Sequence, residues 1–434
     1  MDDALHILIA DYVPIANRGE EAIVRGIEDM LSDGQPVRLG LFDNVAAVTQ
    51  QDNITIFPRE WIFRFEGRTG LSGSGRVLLQ AGIAAQLRFG AYGPLKNLTD
   101  AGSERCRALQ DFFRRARYVL VGHDGVFGVE SCGIVHLARK HRKRVGILGA
   151  STGIGNGRLY KAWLYRRTID ECDFCVFREE HSRDNMRQVG RQPEKLLVGP
   201  DPAFAMRPDE PEKARAVLER HEAYRRAKQA GRAVVAVTVL EKGRVYGGFR
   251  PDLQGRQKQQ AHARYVATIL DSLVEKHRAF VLFLPHSTEK AGSDVVAAGH
   301  VVEQMKTPPG DSLILKQDCN ARLLKSIMRQ CDFLVGERTH SLIGSVSVGT
   351  PPAALTNRRD TRTHGIIGRM CRCRGHIVDM DITSAADATR TVLELFENRS
   401  AAREHLEQVR GELSEQIESV ARVVKGRNGG LPEP

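Results

Sequence analysis

Residues 336–355 read GERTHSLIGSVSVGTPPAAL and follow the apolar run CDFLV, residues 331–335. A buried strand does not call for two basic groups at its carboxyl end, so Arg338 and His340 point to an anion. Arginine presents a planar fork of donors to a carboxylate or phosphate, and histidine gives or takes a proton near neutrality. The Ser/Gly-rich helix behind them is predicted to start around Ser341, adding the positive end of a helix to the same spot.

Other strand ends carry chemistry too. Asn17, Arg18 and Gly19 form a turn before a helix predicted to begin near Glu20. The first N–H groups of that helix suit an anion or a sugar hydroxyl, and Glu20 and Glu21 complement its dipole. After YVLVG come His123 and Asp124, among Gly122, Gly125 and Gly128, which permit close approach of the backbone to a ligand. Asp124 has two readings, a proton acceptor for a hydroxyl or the cap of the next turn. A second small-residue loop, STGIGNG, follows GILGA. Arg178 closes the run FCVF and needs a partner, either a ligand anion or an acidic side chain. The helix after it includes Ser182 and Asn185. His286 stands just past VLFLP with Asp294 downstream, and Arg362 and His364 follow a later strand in TNRRDTRTHG. Most of Arg358, Arg359 and Arg362 are expected to be solvated.

The elements that must position these groups are short apolar runs separated by longer amphipathic segments. LHILIA, VRLGLF, NITIF, YVLVG, RVGILGA, FCVFRE and LLVGPD lie in the first half; VVAVTVL, AFVLFLPH, SLILK, DFLVGE and PPAAL lie in the second. Runs this apolar predict parallel sheets with helices on both faces. The Pro-rich charged stretch from Pro200 to about Pro211 divides the two series. The expected fold is α/β, with two doubly wound, Rossmann-like domains facing across a cleft: residues 1–205, residues 206–380, and a helical tail over 381–434. Ligands of such sheets bind at the carboxyl ends of strands, where all of the residues above are placed. The Gly- and Ser-rich segment Trp61–Leu98 breaks the pattern. It reads as a helical hairpin packed on its own domain, with a substrate lid or a lipid-touching surface as the other readings.

With 434 residues, 41% hydrophobic and 27% charged, the chain has material for two cores. Its formal charge of +11 fits nucleic acid, an anionic membrane surface or phosphorylated small substrates. Scattered basic residues and only 6% aromatics disfavour dedicated nucleic-acid binding. No Gly-x-Gly-x-x-Gly or Walker motif supports nicotinamide or ATP chemistry. The start lacks the basic and apolar regions of a secretory signal, and no apolar run reaches a membrane-spanning length. The eight dispersed cysteines read as reduced thiols, with the Cys172/Cys175 pair in a strand-like context as packing rather than a metal site.

Taken in order, these motifs resemble the polysaccharide pyruvyl transferase family. NRGEEAIVRG is similar to its Asn-x-Gly-Asp-Glu-Ala pattern, VGHDGVFG to its Gly-rich turn, and CVFREEHSRDNMRQVG to its Arg-x-x-x-Ser helix. GPDPAF, GERTHSLIGSVSVGTPPAAL and TRTHGII continue the series. Glu20 departs from the usual Asp, His123 and Asp124 interrupt a glycine run, and Arg362 stands where lysine is common. The resemblance implies a GT-B-like fold and transfer of a pyruvyl group from phosphoenolpyruvate to saccharide hydroxyls as a ketal. It implies that Arg338 and Arg178 bind the donor anions and that His340 is the general acid, with no cofactor or metal. Asn17, Gly19, Asp124, His286, Ser341 and Arg362 complete the expected substrate-binding set. The expected acceptor is a saccharide or lipid-linked saccharide, handled in the cytoplasm or at the inner face of the membrane by a chain whose homo-oligomerisation stays open. The competing readings are a GT-B nucleotide-sugar glycosyltransferase or epimerase, and a catalytically inactive scaffold.

Overall fold

The computed structural model describes residues 4–63, 73–88, 90–99, 103–123, 129–151, 159–189, 193–240, 249–250, 252–287 and 293–427. The chain divides into two compact units. Unit 1 comprises residues 1–15, 26–205 and 416–434; unit 2 comprises residues 16–25 and 206–415. The C-terminal tail is therefore shared, and the turn after the first strand belongs with unit 2.

Unit 1 is built on β1 (Leu5–Tyr12), β2 (Val37–Asp43), β3 (Thr49–Gln51), β4 (Ile54–Pro58), β5 (Tyr118–Val121), β6 (Arg144–Ala150), β7 (Phe174–Phe177) and β8 (Leu196–Val198). Their order is β3-β4-β2-β1-β5-β6-β7-β8, and only the β3–β4 pair is antiparallel. The run FCVF of β7 is buried at all four positions, which requires helices on both faces. All eight cysteines are free and buried. The hydrogen bond from Cys175, together with burial, raises the Cys172 thiol well above its usual range.

Unit 2 carries β9 (Val234–Thr238), β10 (Phe280–Phe283), β11 (Ser312–Ile314), β12 (Phe333–Gly336), β13 (Pro352–Thr356) and β14 (Ile377–Asp379), all parallel, in the order β11-β10-β9-β12-β13-β14. This is the doubly wound order, and the direction of winding reverses between β9 and β12. In unit 1 it reverses between β1 and β5. These two places are where such sheets leave a crevice at their carboxyl edge.

The described part of Trp61–Leu98 packs on unit 1. Trp61, Ile62, Phe63, Ile83, Leu87, Tyr92 and Leu98 join its core. Tyr92 Oη donates to the Ile62 carbonyl at 2.9 Å and Asn97 Nδ2 to the Trp61 carbonyl at 2.8 Å, which stitches the segment's two ends together. Packing on its own unit fits the large aromatic and aliphatic area this segment hides.

Candidate active site

The winding switch of unit 2 places Arg338 and His340 directly beyond β12. The helix there is Thr339–Ser347, two residues earlier than expected, with Arg338 itself in the extended capping conformation. Leu342 is the first residue whose N–H finds a helical acceptor, the Arg338 carbonyl at 3.1 Å. The N–H groups of a helix's first turn have no acceptor within the helix, which is the general basis for anion binding at a helix start. Ser341 lies inside the helix, fully buried. Its hydroxyl donates to the Arg338 carbonyl at 2.8 Å and meets Thr238 Oγ1 of β9 at 2.7 Å. The Ser341 hydroxyl thus ties the helix to the sheet. Small residues let this helix lie close to helix Ala321–Arg329: a Cβ on Gly344 would come within 3.3 Å of Met328 Sδ.

Arg338 does not stand free. Its Nε and Nη2 atoms grip both oxygens of Asp294 at 2.6 and 2.5 Å. Asp294 is almost fully buried and also accepts the N–H groups of His286 and Ser287 at 2.8 and 3.0 Å. Burial raises the Asp294 carboxyl pKa, and Arg338 opposes the rise. The bidentate face that would clamp an anion is therefore used within the protein, and Nη1 remains to meet a ligand. The sequence reading missed Asp294 as this partner. The signal for it was a lone Asp at a helix start eight residues past His286.

The turn after β1 completes the cluster. Asn17 caps helix Arg18–Leu31 by accepting the Gly19 N–H through Oδ1 at 3.0 Å, and it bridges to Ser287. The Arg18 N–H donates to the His286 carbonyl at 2.8 Å. The Arg18 guanidinium reaches Glu21 at 2.9 Å and Asp318 at 2.5 Å. Glu21 in turn accepts the Ala321 N–H at 3.0 Å, at the start of helix Ala321–Arg329. Glu21 thus does more than complement the dipole of its own helix. Gly19 lies against the imidazole: a Cβ there would be 2.5 Å from His340 Nδ1 and 2.9 Å from Cγ. A glycine is required by contact, not by backbone conformation.

His286 is buried, and its Nδ1 donates to the Leu284 carbonyl at 3.0 Å, so Nε2 carries the lone pair. Burial, with Arg338, His340 and Arg18 nearby, pushes its pKa down to about 3. It is a neutral acceptor, suited to a hydroxyl rather than an anion. Arg362 is half-buried, 3.8 Å from Asp360, and its neighbour Thr363 meets Thr339 at 3.1 Å. Arg358 and Arg359 are exposed. Behind Arg338, Glu337 accepts the Leu240 N–H at 2.7 Å and meets His262 Nε2 at 2.5 Å, both side chains buried.

Arg178 belongs to unit 1. Its side chain has no exposure; Nη1 meets Asp201 at 2.8 Å and Nε meets Ser151 at 2.6 Å. Of the two partners its sequence position allowed, the structure supplies the acidic side chain. Enclosed and paired, Arg178 joins the ends of β6 and β7 to the Asp201 turn rather than facing a donor. At the winding switch of the same unit, buried Asp11 accepts the N–H groups of Gly122 and His123 and the Ser131 hydroxyl. Asp124 lies outside the described residues. Among those residues no three His, Cys, Asp or Glu side chains are grouped to hold a metal ion.

The family profile described as polysaccharide pyruvyl transferase matches residues 94–359, more than half of the chain. The chain belongs to the polysaccharide pyruvyl transferase family. It is an enzyme of this kind, and its fold is GT-B-like. Solved structures of similar fold include an α,α-trehalose 6-phosphate synthase from Burkholderia multivorans, at 11% identity, TM-score 0.53 and 98% coverage of both chains. A protein described as a UDP-N-acetylglucosamine 2-epimerase from Listeria monocytogenes is similar at 11% identity and TM-score 0.53, over 99% of this chain and 98% of that one. At such identities the likeness is one of fold. A comparison with curated proteins finds no match.

Proposed function

We propose that this pyruvyl transferase takes phosphoenolpyruvate as donor and forms a pyruvate ketal on two hydroxyls of a saccharide, at the winding switch of unit 2. The observation that carries the reading is the convergence of Arg338, the start of helix Thr339–Ser347, His340 and neutral His286 against the Gly19 turn. The donor's phosphate and carboxylate meet the unused edge of Arg338 and the N–H groups of the helix start, with Arg362 as a further cation. His340 protonates the methylene carbon, giving the methyl group and an electron-poor carbon beside the carboxylate. A saccharide hydroxyl, aligned by its hydrogen bond to His286 Nε2, attacks that carbon and passes its proton to the departing phosphate, and the proton later lost by the second hydroxyl restores His340. Phosphate leaves with its bridging oxygen, and the second hydroxyl closes the ketal with loss of its proton.

The acceptor is a saccharide or lipid-linked saccharide, and the protein works in the cytoplasm or at the inner membrane face. No described helix is long and apolar enough to cross a membrane. The test is release of inorganic phosphate from phosphoenolpyruvate by the purified chain, with acceptors screened by mass for the gain of a pyruvyl ketal. Phosphate release that depends on a saccharide supports the reading. Turnover of a nucleotide-sugar instead, or of no donor at all, refutes it.

A further inference from the structure

Unit 1 holds a cavity of about 180 Å³ between helix Gly73–Arg88, the turn Gly93–Leu98, and helices Val129–Lys140 and Leu159–Glu171. None of the candidate active-site residues of unit 2 lines it. Its floor is apolar, formed by Leu87, Leu137 and Leu164. Polar groups that reach the floor are already used: Tyr92 Oη by the Ile62 carbonyl at 2.9 Å and Thr168 Oγ1 by the Leu164 carbonyl at 2.8 Å. Gly133 has no room for a side chain, because a Cβ would overlap Leu87 and approach Leu95 Cδ1 at 3.0 Å. Its bare backbone lets the Trp61–Leu98 segment roof the space.

The mouth has the opposite character. Lys96 and Lys140 line it and are exposed, and neither is ion-paired among the described residues. Arg167 also lines it, but its Nε is held by Glu171 at 2.8 Å, and His136 meets the same carboxylate at 2.9 Å. Two unneutralised ammonium groups thus stand at the rim of an apolar hole. A dry cavity of about 150 Å³ takes a benzene-sized guest, so this one suits an alkyl or aryl group of about six carbons.

We propose that this cavity binds an anionic amphiphile, with the apolar group on the Leu87–Leu137–Leu164 floor and a phosphate or carboxylate between Lys96 and Lys140. The proposal does not rest on the donor chemistry of unit 2. A soluble organic phosphate and a membrane lipid both have this chemistry.

Isothermal titration of the full chain with hexyl phosphate tests it. Saturable binding is expected, with inorganic phosphate failing to bind and hexanol weaker by about tenfold, the worth of two screened charge contacts. Lys96→Ala with Lys140→Ala should weaken hexyl phosphate about tenfold and leave hexanol unchanged. Leu137→Trp, at a partly buried position, should fill the floor and abolish binding of both; thermal unfolding checks that it folds. The lysine variant changes only exposed side chains, so the test survives failure of the tryptophan variant. Sedimentation with phosphatidylglycerol vesicles then separates the sources. Loss of vesicle binding in the lysine variant identifies a lipid; unchanged vesicle behaviour beside lost hexyl phosphate binding identifies a soluble phosphate. No saturable binding by the unmodified chain, or equal binding by the lysine variant, overturns the proposal.

Discussion

Replacing Gly19 by alanine isolates what the turn after β1 does for His340. Gly19 is helical, so alanine should favour the backbone by about 1 kcal/mol. Against this, the new methyl would sit 2.5 Å from His340 Nδ1, where ordinary contact begins at 3.4 Å. The imidazole must therefore withdraw by about 0.9 Å, and overpacking of this size costs about 1–3 kcal/mol. Net stability should change by no more than about 2 kcal/mol. Catalysis should suffer far more, because a misplacement of about 1 Å can cost a hundredfold. The assay is phosphate release with the acceptor found by mass screening, beside urea denaturation. Gly19→Ala should lower kcat about a hundredfold with a nearly native midpoint. The decisive measurement is the double variant with His340→Ala. If Gly19 acts through the imidazole, the pair should be no slower than His340→Ala alone. Multiplying losses, or full activity in Gly19→Ala, would refute the reasoning.

Asp294→Asn removes the charge that holds Arg338 and should cost about 3 kcal/mol in urea denaturation, with a raised KM for the donor as the guanidinium loses its aim. An unchanged donor KM would separate Arg338 from the donor. His286 has a folded pKa of about 3 against 6.5 when unfolded, so the unfolded chain takes the extra proton between them. Its contribution is complete above pH 6.5 and falls toward pH 3 by up to about 1.4 kcal/mol per pH unit; His286→Asn should flatten that slope by one proton in stability measured against pH. Arg178→Met strands buried Asp201 and should destabilise by about 3–5 kcal/mol without a specific change in donor KM. Normal stability with a raised donor KM would instead return Arg178 to the donor.

The sheets were legible because burial on both faces writes continuous apolar runs. Each run marked in the sequence corresponds to a strand, including FCVFRE for β7 and DFLVGE for β12. β3 was not legible: Thr49–Gln51 is exposed throughout and carries no apolar signal. β14 holds only two apolar residues, Ile377 and Val378, before Asp379, and only Val378 is buried, so no apolar run marks it. Helix Thr339–Ser347 started early because Arg338 occupies the capping position without a side-chain cap, whereas the sequence rule looks for Ser or Thr. Arg338 and His340 could be picked out because basic groups past a buried strand have no packing use. Their partners could not. Asp294 lies 44 residues from Arg338, and Asp318 lies 300 residues from Arg18. Nothing local distinguishes those carboxylates from surface ones.

Those partners alter what the basic surplus means. A charge of +11 seemed to suit a phosphorylated donor directly, yet the cations at the unit 2 switch are held by carboxylates. Arg338 answers Asp294, and Arg18 answers Glu21 and Asp318. Such pairing fixes a guanidinium in one orientation, so less side-chain freedom is lost when a ligand arrives. It also lowers the net field, which leaves donor recognition to aimed N–H groups rather than to charge alone. Binding through the start of helix Thr339–Ser347 and the spare edge of Arg338 should therefore depend on geometry more than on ionic strength. Among the described residues, Lys96 and Lys140 at the mouth of the unit 1 cavity are positive charges without such a carboxylate.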